Sequence, residues 1–335
     1  MIDILVFSSC RKRAAPIFDH ERRPLSIPAG VWFPTSVFRG AERLLSDNQT
    51  AYPVLIFSHG YAQGFVAQNQ VLMEELASHG YAVFSIGHPH ESVAVVYPDD
   101  TVVPMSTEQI QKVGEELRTS APAAFEKLQA TSDKAQRAEI FRELIGGAPV
   151  LTASVRIWTA DTRFVLDQLE AMNAGTVESS FTGKLDLSRV GVLGMSFGGT
   201  TAGQTCVEDP RVKAGVNLDG LQYGEVLERS LHKPFMFMNS EGGINDPVYE
   251  RAEGPTYFVT VKDSQHLDFT DLGLISPLFQ LTGATGAING RRMSEIYNAY
   301  TLAFFDRYLE GKAAPLLQGP STGYPEVEFQ SHGVH

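Results

Sequence analysis

Val190-Gly-Val-Leu-Gly-Met-Ser-Phe-Gly-Gly199 is the stretch on which the reading of this chain turns. The apolar run Val190 to Leu193 leads into Gly194-Met-Ser-Phe-Gly198, and the small residues Gly199, Ala202 and Gly203 follow. That order predicts a strand, a tight turn and a helix, with Ser196 at the apex of the turn. So sharp a turn strains the serine backbone and crowds the neighbouring chain. Glycines two positions either side relieve the crowding, and the hydroxyl projects above the sheet edge. The pentapeptide alone carries little weight, because ordinary glycine and serine frequencies produce it by chance. Its setting has to decide.

Upstream, Tyr52-Pro-Val-Leu-Ile-Phe-Ser58 is a continuous apolar run, as a strand buried on both faces should be. It ends in His59-Gly60-Tyr61-Ala62-Gln63-Gly64. Residues 67 to 79 carry Val71, Leu72, Leu76 and Ala77 at helical spacing, and Gly80 stops them before the next buried strand, Tyr81 to Ile86. Leu151 to Met172 predicts a long helix with Val155, Trp158, Val165, Leu166 and Leu169 on one face. After the serine turn come the short apolar runs Val212 to Leu218, Pro234 to Met238 and Thr256 to Val261. A last helix follows, from about Ser294 to Leu309. Strands alternating with helices imply an α/β fold, a mostly parallel central sheet with helices on both faces. Arg22 to Pro34, broken by three prolines, suits short edge strands.

Residues 99 to 150 differ from their flanks. They are rich in Glu, Gln, Lys and Ala and predict short amphipathic helices broken at Pro122 and at Gly146-Gly147. We read them as a cap-like helical insertion within a single domain spanning 1–335, since no linker separates two units. The 335 residues suffice for a sizeable core. A net charge of −12 argues against nucleic acid or an anionic membrane as partner. No apolar run reaches the length of a membrane span. Met1 to Phe7 is short and lacks a preceding basic residue, so a cytoplasmic location is the default expectation over a secreted or lipoprotein form. The two cysteines, Cys10 and Cys206, make neither a disulfide framework nor a zinc site. Oligomeric state is not legible in the sequence.

Open parallel sheets carry reactive groups in loops after their strands. A serine needs a base, and the base an orienting acid, in the chain order serine, acid, histidine for this kind of elbow. Four histidines follow Ser196. His332 and His335 fall in a polar tail where disorder is expected. His232 precedes a strand and sits at the wrong end of the sheet. His266, a few residues past Val261, remains. For the acid, Asp219 follows one strand while Glu241 and Asp246 follow the next, and spacing leaves these open. His88-Pro-His90-Glu91 has the residue types of a metal site but no third cluster to complete one, so no metal is expected. Phe65, His88 and Trp158 are candidates for the wall of an acyl pocket, with the Phe141 to Ile145 cluster beside them; Trp158, mid-stripe on its helix, reads equally as core.

Phe57-Ser-His-Gly60, Glu75-Leu-Ala-Ser-His-Gly80, Gly194-Met-Ser-Phe-Gly-Gly199, Leu218-Asp-Gly220, Met238-Asn-Ser-Glu241 and Gln265-His266 with Asp268-Phe269 occur in this order. Together they resemble the plasma-type platelet-activating factor acetylhydrolase family of α/β-hydrolases, whose bacterial relatives grade into dienelactone hydrolase- and cutinase-like esterases. The resemblance runs from about residue 22 to residue 311. It implies an α/β-hydrolase fold, the acid at Asp219 and the base at His266. It also implies an oxyanion hole made by the N–H groups of Tyr61, the residue after His-Gly, and of Phe197. His59 is expected to brace that loop.

The function so implied is serine-dependent hydrolysis of a small-molecule or lipid ester through an acyl-enzyme, with no cofactor. Short acyl groups are the expectation; polyester fragments or phthalate-type diesters are the alternative. A thioesterase or serine peptidase would use the same three residues. A hydrolase-fold binding protein without catalysis would have no reason to keep all three.

Overall fold

Residues 3–7, 51–97, 101–276 and 278–334 are described by the computed structural model. In chain order the strands are β1 (Asp3–Phe7), β2 (Tyr52–Ser58), β3 (Ala82–Gly87), β4 (Ala94–Val96), β5 (Val102–Pro104), β6 (Leu185–Met195), β7 (Val212–Leu218), β8 (Phe235–Ser240), β9 (Thr256–Val261) and β10 (Val327–His332). The helices are α1 (Gln70–Ser78), α2 (Thr107–Ala130), α3 (Lys134–Gly146), α4 (Pro149–Asn173), α5 (Phe197–Glu208), α6 (Val226–Arg229), α7 (Asp246–Arg251), α8 (Leu272–Ile275), α9 (Leu278–Leu281) and α10 (Gly290–Glu310). A 3-10 turn covers His266–Phe269.

Eight of these strands form one sheet in the order β1-β3-β2-β6-β7-β8-β9-β10. The pairs from β3 through β9 are parallel, and β1 and β10 close the edges antiparallel. Alternation along the strands builds two cores. Leu55, Phe57, Leu193 and Val216 face α1 and α10, where Leu72, Leu76, Ile296 and Phe304 meet them. Val54, Ile56, Val190 and Val192 face the other way, onto Val165, Leu166 and Leu169 of α4 and Ala202 of α5. The chain moves from β2 outward to β3 and returns to β6 on the other side of β2. The carboxyl ends of β2 and β6, at Ser58 and Met195, therefore flank a topological switch point, where open α/β sheets bind ligands.

Several expectations need correction. The inserted region opens with a small β4–β5 hairpin rather than a helix. Pro122 does not break a helix, because α2 runs through it. It stands on an exposed stretch, where the Arg118 carbonyl that loses its partner can be served by water. Gly146-Gly147 does end α3, and the Gly147 N–H closes on the Glu143 carbonyl. α4 then starts at Pro149, and its Val150 and Leu151 N–H groups donate to the buried Glu116 carboxylate of α2 at 2.7 and 3.0 Å. His332 belongs to an edge strand, not a loose tail, and its Nε2 lies 2.7 Å from the Tyr249 carbonyl. Phe141 is fully buried in the core beside α4 and lines no pocket. Cys10, the Arg22 to Pro34 strands and His335 lie outside the described residues.

Candidate active site

Between β6 and α5 the chain turns within one residue. Ser196 has φ 56° and ψ −119°, a conformation a non-glycine residue adopts only when its surroundings impose it. Its N–H donates to the Leu218 carbonyl of β7 at 2.8 Å. The flanking glycines are required by space. A Cβ on Gly194 would lie 2.3 Å from the Gly198 carbonyl carbon, and one on Gly198 would lie 1.9 Å from the Ser58 carbonyl oxygen. Ser196 keeps partial exposure while Met195 and Phe197 are buried.

His266 reaches this serine from the 3-10 turn after β9. Its Nε2 is 2.9 Å from Ser196 Oγ, and its Nδ1 is 2.8 Å from Asp219 Oδ2. Asp219, just past β7, also has a left-handed backbone, with φ 56°. Its carboxylate accepts the Ser240 N–H at 2.6 Å and the Ser240 hydroxyl at 2.9 Å. Of the three acids left open by spacing, only Asp219 meets the histidine. Glu241 accepts the Asp263 N–H at 3.0 Å, and Asp246 is held bidentately by Arg137 at 2.5 and 2.6 Å. Asp268 secures the turn that carries His266, accepting N–H groups from Gln265 at 2.8 Å and Gly286 at 2.6 Å. Burial pushes the Asp268 carboxyl up, those N–H groups oppose the shift, and the charge of Asp219 adds to it.

The loop after β2 lies against the serine: a Cβ on Gly60 would be 3.4 Å from Ser196 Cβ. Among the described residues, the N–H groups of Tyr61 and Phe197 donate to no protein acceptor. The Tyr61 and Phe197 rings meet edge-on at 5.0 Å. His59 behaves as a brace. Its Nδ1 is 2.8 Å from the Gly60 carbonyl, its Nε2 takes the His88 N–H at 3.3 Å, and burial drives the imidazole down to about 3. It is therefore neutral, and those partners put the proton on Nδ1.

Trp158 and His88 are 0% and 1% exposed, so neither offers a surface to substrate, which corrects their assignment to the pocket wall. They stack on each other at 3.7 Å behind the Tyr61 and Phe197 rings. Phe65 is exposed near the loop. Both His88 nitrogens are engaged, Nδ1 with Asp161 at 2.8 Å and Nε2 with Ser58 Oγ at 3.1 Å. Burial lowers the His88 basicity against the pull of Asp161. Ser58, His88 and Asp161 thus repeat the serine–histidine–aspartate hydrogen-bond chain of the site, but with a serine shut off from solvent. Sequence reasoning missed this second chain, as it missed the contact of Ser240 with Asp219. The signal for Ser240 was its place within Met238-Asn-Ser-Glu241, at the end of β8 beside β7.

Known proteins resemble this chain over most of its length. A guinea pig (Cavia porcellus) platelet-activating factor acetylhydrolase is 29% identical over 272 residues, covering 77% of this chain and 58% of its own length. A probable 1-alkyl-2-acetylglycerophosphocholine esterase of Arthroderma benhamiae is 24% identical, covering 83% of this chain and 66% of its own. The chain spans about three-fifths of the length of these curated relatives. The solved ferulic acid esterase of Streptomyces cinnamoneus superposes with a TM-score of 0.62 at 28% identity, covering 83% of this chain and 74% of that one. Its likeness and the mostly parallel sheet make the fold that of an α/β-hydrolase. A sequence model described as platelet-activating factor acetylhydrolase, isoform II, matches residues 40–314, and the chain belongs to that family.

Proposed function

We propose that this chain is a serine carboxylic-ester hydrolase acting on short-acyl or other small esters through an acyl-enzyme. The observation that carries the reading is the hydrogen-bonded chain from Ser196 Oγ through His266 to Asp219, set on a strained turn that keeps the serine accessible. His266 Nε2 takes the serine proton as Oγ attacks the ester carbonyl carbon, and the carbonyl π electrons move onto oxygen. The N–H groups of Tyr61 and Phe197 are free to receive that oxyanion, each contributing about 3 kcal/mol by the usual measure of such donors. Asp219 keeps the imidazole in the Nδ1–H tautomer and stabilises the imidazolium. His266 then protonates the leaving alkoxide, and water, deprotonated by the same nitrogen, releases the acid. The acetylhydrolase and esterase names of the relatives support acetyl and other short acyl groups as the substrate class.

The test uses p-nitrophenyl acetate and a fluorophosphonate probe. Ser196→Ala should lower kcat by about 10⁶-fold, the scale on which a triad serine acts. Mass spectrometry should find the phosphonate on Ser196 alone. Ser58 has a histidine and an aspartate of its own, His88 and Asp161, but is 3% exposed, so its labelling would overturn the view that access and the strained turn select the nucleophile. Full activity in the alanine variant would overturn the reading outright.

A further inference from the structure

Glu91 is a buried carboxylate, 6% exposed, in the turn after β3. Four side chains donate to it. Oε1 accepts the Tyr61 hydroxyl at 3.0 Å, the Ser154 hydroxyl at 2.6 Å and the Gln109 amide at 3.1 Å, and Oε2 accepts the Trp158 indole N–H at 2.5 Å. An ionised carboxylate has about four lone-pair directions, two on each oxygen, and here three donors converge on Oε1 while one meets Oε2. The donors come from different places. Tyr61 belongs to the loop beside Ser196, Gln109 to α2, and Ser154 and Trp158 to α4. The same residue holds the loop by its main chain, since its carbonyl accepts the Ala62 N–H at 2.9 Å. Ala62 and His90 both have left-handed backbones, with φ 62° and 69°, so two strained turns are tied to each other at this point. The remaining face of the Tyr61 ring is fixed by Trp158, stacked at 6.0 Å, and by the edge of Phe197.

From this network we infer that Glu91 is a positioning residue for ester hydrolysis: by gripping the Tyr61 hydroxyl and the Ala62 N–H it aims the Tyr61 N–H at the oxyanion, and it makes the inserted helix α2 part of that support. The inference rests on the serine-hydrolase reading. It adds that the insertion contributes to the chemical step through a buried anion that touches no substrate. An oxyanion donor lowers the barrier only while its direction is preset, so a loop released at residue 61 loses transition-state stabilisation more than substrate binding.

The test compares wild type, Tyr61→Phe, Glu91→Gln and the double variant on p-nitrophenyl acetate, with inhibition by a trifluoromethyl ketone as a mimic of the tetrahedral adduct. Tyr61→Phe keeps the ring packing and the main-chain N–H and deletes only the hydroxyl, with its contacts to Glu91 and to the Ser154 and Gln109 that share that carboxylate. It should lower kcat about tenfold with KM within about twofold, and weaken the ketone by a similar factor. Glu91→Gln should do the same or more, and the double variant should be no worse than Glu91→Gln alone, because both changes cut one linkage. Unchanged kcat in a folded Tyr61→Phe would overturn the inference. So would a kcat loss without weaker ketone binding, or fully multiplicative losses in the double variant. If Glu91→Gln does not fold, Gln109→Ala replaces it: a smaller loss in the same direction is expected, and none would remove α2 from the proposal. Failure of the serine-hydrolase reading itself is told apart by the wild type, which would then survive Ser196→Ala.

Discussion

Asp219 occupies a left-handed backbone position at the end of β7, and this makes it open to a clean substitution. Asparagine tolerates that conformation nearly as well as aspartate, so Asp219→Asn should fold. Its amide oxygen can still accept from Ser240, which puts the NH₂ toward His266 Nδ1. An NH₂ there forces the ring to accept at Nδ1 and to carry its proton on Nε2, the nitrogen that faces Ser196 Oγ. A histidine in that tautomer cannot take the serine proton, so kcat should fall by about 10⁴-fold while the far-UV circular dichroism stays that of wild type. Glu241→Gln and Asp246→Asn should leave kcat within about twofold, because their partners are Asp263 and Arg137 rather than the histidine. A loss below tenfold in Asp219→Asn, or an equal loss in Glu241→Gln, would reopen the choice of acid. That choice was beyond spacing alone. His266 and Asp219 are 47 residues apart, and loops after neighbouring strands both approach the histidine, so only the family motif or a measured distance separates them.

Among the elements, α1, the turn after His266 and α10 are pinned together by Asp271. Its carboxylate accepts the Val71 N–H of α1 at 3.2 Å, and the Tyr297 hydroxyl of α10 donates to it at 3.4 Å. Burial outweighs these donors and lifts the Asp271 carboxyl to about 6, from an ordinary value of 3.8. A carboxyl whose folded pKa is raised contributes stability that is fully present below the unfolded value and is lost as pH rises through the folded one. Asparagine at 271 does not titrate and keeps an oxygen for Val71. Relative to wild type, Asp271→Asn should therefore gain thermal stability between pH 4 and about 6, and the gain should level off above that. Paired melting curves from pH 4 to 8 give the answer; a difference that stays constant, or shrinks with rising pH, contradicts the raised carboxyl. The elements themselves were unevenly legible. β2 and β3 announce themselves because a parallel strand buried on both faces is apolar at nearly every position. The register of Val155, Trp158, Val165 and Leu169 places α4 because one face of it must be buried, Val165 and Leu169 on the sheet and Val155 and Trp158 against Val113 of α2 and Phe197 of α5. β10 escapes such reading, since Val327-Glu-Phe-Gln-Ser-His332 is mostly polar and becomes a strand by pairing with β9. Pro122 misleads for a related reason: a local rule breaks the helix there, while burial of Val113, Glu116, Ala124 and Leu128 on one face of α2 carries it through.

At the scale of the molecule, the inserted helices are held to the sheet-bearing body by a few contacts of unequal worth. Lys134 with Glu250 and Arg142 with Glu228 are solvent-exposed pairs of the kind that contribute at most about 1 kcal/mol each. Arg137 of α3 is different. Its guanidinium grips both oxygens of Asp246 at the start of α7, and its remaining nitrogen donates to the carbonyls of Leu128 and Thr131, closing the turn between α2 and α3. One side chain thus shapes the helical hairpin and docks it. Losing it strands a half-buried carboxylate and two carbonyls together, whereas losing Asp246 leaves the guanidinium its carbonyl partners. Arg137→Gln should therefore cost more thermal stability than Asp246→Asn, and limited proteolysis of the arginine variant should cut first near Thr131 to Asp133. The double variant should show a coupling of at least about 1 kcal/mol, as expected for residues in direct bidentate contact. Independent, additive effects would mean that the apolar contacts of Phe141 and Leu144 alone seat the insertion, and the support that α2 lends to Glu91 would then not depend on how α3 is docked.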